Sequence, residues 1–171
     1  DKFVHPNAMA LSGSSKKTKP RLVYPKSVVR FVPSEVPLEF LKDYIEASMI
    51  LRDSPNASAA LGRRCLQNVI RKKAGIQKKT LHDEIEELIS QPSFPSSIAE
   101  LLHSTRELGN FAAHATNNVS TGEIIDVDPE EAAWLLNVLD AMFDFYFVAP
   151  AKNQKRLQAT QEKLKSAGKI K

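Results

Sequence analysis

From Pro37 onward apolar residues recur every three or four positions, the period of an α-helix with one buried face. Phe40, Leu41, Tyr44, Ile45, Ser48 and Leu51 form the first such stripe and predict a helix from about Pro37 to Arg52. Asp53-Ser54-Pro55 ends it. Ser54 fits a helix N-cap with Pro55 in the first helical position, and the second helix then runs to Ala74, where Gly75 can close it. Thr80 with Asp83 three residues on resembles a capping box and opens a short third helix to about Ile89. Pro92 and Pro95 separate that helix from a fourth, from about Ser96 to Ala115. After a loop rich in Asn, Ser, Thr and Gly, Asp128-Pro129-Glu130-Glu131 starts a fifth helix that reaches about Val148.

The fifth helix differs from the others in being apolar on nearly every side, from Trp134-Leu135-Leu136 to Phe145-Tyr146-Phe147. A surface helix of a monomer is not built that way, so it is either the centre of the bundle or part of an interface between subunits. The expected fold is all-α, a single bundle of about five helices over residues 25–150. Val23-Tyr24-Pro25 and Val28 to Pro33 read as extended chain lying along that body. Residues 1–24 read as a disordered tail or a cloning remnant. Residues 151–171 read as a basic, disordered tail, with continuation of Lys152 to Lys171 as a basic helix the alternative, although Leu157 and Leu164 alone do not anchor it.

With 171 residues, 42% of them apolar and 26% charged, the chain has the balance of one globular domain. The net charge of +4 is unevenly spread. Residues 1–30 and 152–171 each carry +6, which leaves the body between them at −8. Basic ends on an acidic body are either solvated tails or arms for nucleic-acid phosphates. The lone Cys65 excludes a disulfide and a zinc site from this chain alone, fits a small core residue, and points to a reducing, cytoplasmic setting. No contiguous apolar run has the length of a membrane span, and no metal or other cofactor is expected.

The most informative segment is Arg106-Glu107-Leu108-Gly109-Asn110-Phe111-Ala112-Ala113-His114. Arg106, Asn110 and His114 are four apart, each turned about 40° from the last on a helix, and His103 joins the same stripe. In a functional reading His114 moves a proton, Arg106 stabilises negative charge on a phosphate and Asn110 positions it, a set suited to metal-independent RNA cleavage. In a structural reading Arg106 pairs with an acid such as Glu46 or Asp43 while Asn110 and His114 satisfy backbone groups. Gly109, costly inside a helix, points to close approach by another backbone. Arg63, Arg64 and Arg71 on the second helix offer either a phosphate-binding ridge or ordinary ion pairs. Glu84, Glu86 and Glu87 read as the solvent face of the third helix.

Taken in order, Tyr44-Ile45-Glu46-Ala47, the segment Ser54 to Gln67 with its alanines and paired Arg63-Arg64, Thr80-Leu81 with Ile85, Arg106 to His114, and Glu130-Glu131-Ala132 resemble the domain-of-unknown-function 4145 family over roughly residues 25–148. The resemblance implies a helical domain of bacterial proteins, often joined to restriction or other defence components. More distantly the chain is similar to the HEPN superfamily, whose bundles dimerise and whose active members are RNases using an Arg and a His. In this chain seven residues separate Arg106 from His114, a longer interval than that superfamily's motif. The resemblance thus implies a homodimer that acts on RNA or serves as a binding module beside a defence-system partner protein.

Overall fold

A computed structural model describes residues 30–113 and 127–167, with the backbone alone for 106–113. Every regular element among them is helical. In chain order these are α1 (Leu38–Ile50), α2 (Pro55–Val69), α3 (Leu81–Ile89), α4 (Ser96–Ala113), α5 (Pro129–Phe143) and α6 (Ala149–Ser166). Two π-helical turns, Ile70–Ala74 after α2 and Asp144–Val148 between α5 and α6, extend those helices without a break. The described chain is therefore a bundle of five continuous helical rods, the all-α architecture the periodicity predicts.

Local chemistry sets the starts. The Ser54 hydroxyl accepts from the Ala57 N–H at 3.4 Å, Thr80 Oγ1 accepts from Asp83 N–H at 3.1 Å, and Asp128 Oδ1 accepts from Glu130 N–H at 2.7 Å. Each removes an unpaired donor from a first turn. Gly75 closes the second rod at φ +71°, a left-handed backbone that favours glycine.

The core is organised around α5. It buries Ala132, Leu135, Leu136, Val138, Leu139, Met142 and Phe143, and it packs on α1, α2 and α4. Of the two explanations for its apolar girth, the described residues supply the first, a central helix. The rod Pro129–Ser166 does contain a stretch long and apolar enough to cross a membrane, although Asp140 and Asp144 interrupt its apolar run. Half of that stretch is buried inside the bundle. Tyr44 and Phe143 meet edge to face at 5.2 Å, and Phe40 and Phe147 pack with ring centroids 5.1 Å apart.

Polar ties hold the helices in register. Ser58 Oγ donates to Ala47 O at 2.8 Å, Trp134 Nε1 donates to Thr105 Oγ1 at 3.1 Å, and the Tyr44 hydroxyl donates to Asp140. Arg30, in the extended lead, reaches Asn137 Oδ1 at 2.8 Å, Asp140 Oδ2 at 2.9 Å and Ala133 O at 3.3 Å. The lead from residue 30 therefore lies along the body as expected, pinned to α5.

From residue 151 the chain takes the helical alternative and is helical to Ser166. It keeps the exposure of a tail, since α6 has no buried residue. Its helix is propagated from α5, so the costly nucleation step has already been met.

Among the described residues a close approach at a helical glycine occurs at Gly62; the surroundings of Gly109 lie outside the described side chains. A Cβ at Gly62 would stand 2.8 Å from Leu135 Cδ2 and 3.1 Å from its Cγ. Alanine normally gains about 1 kcal/mol over glycine inside a helix. At this position Leu135, only 5% exposed, would have to move out of a packed core. Gly62→Ala is expected to destabilise by about 1 kcal/mol and to lower Tm by a few degrees in thermal circular dichroism.

Candidate functional site

The α4 backbone is helical through Ala113, so residues 103, 106 and 110 hold the single stripe that their spacing predicts. His103 on that stripe is exposed, whereas Leu102 beside it is fully buried. The side chains of Arg106 and Asn110, and the whole of His114, lie outside the described residues. Asp43, one proposed partner of Arg106, is engaged elsewhere.

Arg64 holds Asp43 with both ends of its guanidinium, Nε to Oδ2 at 2.6 Å and Nη2 to Oδ1 at 2.7 Å. The fork geometry joins α1 to α2. The Arg64 hydrogen bond, opposed by partial burial, keeps the Asp43 carboxyl below its usual 3.8. Stability from a depressed acid is complete above its unfolded value and is lost as pH falls through the folded one. This pair therefore contributes nothing to pH dependence near neutrality and lets go only in strong acid.

Arg71 turns the other way. Its Nε donates to Glu84 Oε1 at 2.6 Å, and Lys78 N–H reaches the same oxygen at 3.1 Å. Glu84, read from the charge pattern as part of a solvent face, is completely buried. Its Oε2 has no hydrogen-bond partner among the described residues. A buried carboxylate in that position depends heavily on its cation. Arg63, one residue after Gly62, is half-buried, and burial lowers its guanidinium pKa. Two of the three arginines of α2 and its π turn are thus bound to carboxylates on different helices, the ion-pair alternative for those residues.

Lysines of the same π turn serve packing as well. Lys73 Nζ stands 4.9 Å from the Phe147 ring centre and Lys72 Nζ 5.8 Å from that of Phe40, with Lys72 also paired to Glu39. The Lys73 contact links the two π turns of the molecule.

The largest concentration of exposed positive charge among the described residues is α6. Lys152, Lys155, Arg156, Lys163 and Lys165 face the single carboxylate Glu162, a net charge of +4 on an exposed rod. Lys155 reaches Glu35 at 3.9 Å, a weak link to the body. Composition had located this charge. The helix that arrays it has little local signal, because Leu157 and Leu164 alone offer no anchoring face. Between α3 and α4 lies a cavity of about 640 Å³ with Phe94, Glu100 and His103 on its lining. No group of three His, Cys, Asp or Glu suited to a metal ion occurs among the described residues.

Cys65 is buried, and its Sγ donates to Phe40 O at 3.2 Å. Burial, aided by the nearby Asp43 charge, pushes its thiol up to about 12. It should resist a thiol reagent in the native protein at pH 8 and react only at the rate of unfolding. Arg71→Ala should cost about 3 kcal/mol in urea denaturation, because it strands the fully buried Glu84 carboxylate without its cation.

Comparison with curated proteins and with solved structures finds no match. A family model described as a domain of unknown function, DUF4145, matches residues 45–164. The match begins inside α1 and runs past the fifth predicted helix into α6, so all but the last two residues of the exposed basic rod fall within it. The chain belongs to the DUF4145 family.

Proposed function

We propose that this domain binds RNA, with α6 as the arm that contacts the phosphate backbone. The observation that carries the reading is a helix of 18 residues with no buried side chain and a net charge of +4, rooted in the central helix of an otherwise acidic body. Apolar packing does not account for such a rod. Five cations spaced along three to five turns suit a chain of phosphates, whose condensed counterions they would release. The basic residues ahead of Arg30 would add to the same attraction.

Changing Lys152, Arg156, Lys163 and Lys165 together to Ala should leave thermal stability nearly unchanged, since all four are exposed. It should reduce the slope of log affinity against log salt for a single-stranded RNA by about 3. An unchanged slope would remove α6 from the interface.

A second reading, cleavage at Arg106, Asn110 and His114, is favoured by the helical register of α4 across residues 103 to 113. The 2′-hydroxyl would attack the adjacent phosphorus as the bond to the 5′-oxygen of the next nucleotide breaks, with His114 taking the hydroxyl proton, water protonating the departing 5′-oxygen and Arg106 facing the phosphoryl oxygens. RNA incubated with the protein in chelator should then acquire cyclic phosphate ends. His114→Ala should abolish that product with Tm unchanged, and uncut RNA with the wild type would leave binding alone.

A further inference from the structure

The elbow between α3 and α4 is chemically unlike α6. The described residues that line its cavity of about 640 Å³ include one carboxylate, Glu100, and neither Lys nor Arg. Ile89, Phe94 and Ala99 supply an apolar wall, and Gln91 and His103 add polar atoms. That size and mixture are those of a site for a small organic group. An anion would meet Glu100 with no Lys or Arg among the described lining residues to offset it. A flat neutral ring with N–H groups on its edge meets complementary surfaces, its face against the apolar wall and its donors toward the carboxylate.

The wall is firmly held. Phe94 is 9% exposed and packs edge to face on Phe145, with centroids 5.6 Å apart and rings at 83°. Phe145 belongs to the π turn that leads into α6 at Ala149. One aromatic contact therefore connects the cavity to the root of the basic helix, and His103 places the cavity beside the α4 stripe.

We propose that this elbow cavity receives one unpaired nucleobase of a bound RNA strand, with Glu100 accepting N–H donors from the base edge. The proposal rests on the RNA-binding reading and adds a substrate class, single strands with an accessible base carrying an amino group. Duplex, whose base edges are already paired, would use α6 alone.

The test compares a short single-stranded adenine oligonucleotide, its uracil counterpart and an abasic strand with the same number of phosphates, each titrated by fluorescence anisotropy. Wild-type protein should bind the adenine strand about tenfold more tightly than the abasic one, with uracil between them. Ala99→Leu, which fills the cavity, and Glu100→Ala, at an exposed position, should each erase most of that preference while leaving the salt slope from α6 intact. Glu100→Ala keeps the test decisive if the filled variant does not fold. Equal binding of adenine and abasic strands, or an undiminished preference in Glu100→Ala, overturns the base pocket while α6 binding stands. No binding of any strand overturns the RNA reading and the pocket with it.

Discussion

A helix that is apolar on nearly every side has to be enclosed, and in this protein the enclosure of α5 governs the rest. Leu135, Leu136, Val138, Leu139, Met142 and Phe143 remove its surface from water against α1, α2 and α4. This burial is the main favourable contribution to a fold of this size. Other features are conditions for it. Gly62 lets α2 approach Leu135, and Asp140, the polar interruption in the rod, is met by Tyr44 on one oxygen and Arg30 on the other. That arrangement fastens the extended lead and α1 to the central helix.

The rod does not end where its burial ends. Pro150 has no N–H to donate, and its ring crowds the carbonyl four residues earlier. The backbone immediately before it is a π turn, Asp144–Val148, and the helix then continues through Ser166. The result is a helix with two solvents, protein for its first half and water for its second. An isolated helix of this length and polarity is marginal in water. α6 therefore draws its order from α5 and from whatever it contacts, a physical state suited to an arm that is stabilised on binding.

Local signals told most of the fold. Ser54-Pro55, Thr80, Asp128-Pro129 and Gly75 mark helix ends through chemistry confined to four or five residues, and the structure uses each of them. What escaped depends on partners distant in sequence. Glu84 sits among acids that look solvated, and only the fold brings Arg71 to it from the preceding rod. An ion pair for Arg64 was one of its two readings, but only the placement of α1 makes Asp43 the partner. Of the candidate site, the α4 register and the exposure of His103 were legible from spacing. The elbow cavity was not, because it arises from the angle at which two helices meet at Pro92 and Pro95.

Hydrogen exchange followed by mass spectrometry addresses the central claim most directly, that one rod is a buried core helix at one end and a binding arm at the other. In the free protein, amides of residues 135–143 should exchange only through global unfolding, while those of 152–166 exchange fast, increasingly so toward Ser166. Adding single-stranded RNA at low salt should slow exchange in 152–166 and leave 135–143 as before. Strong protection of 152–166 without RNA, or RNA binding that leaves that stretch unchanged, would contradict the account.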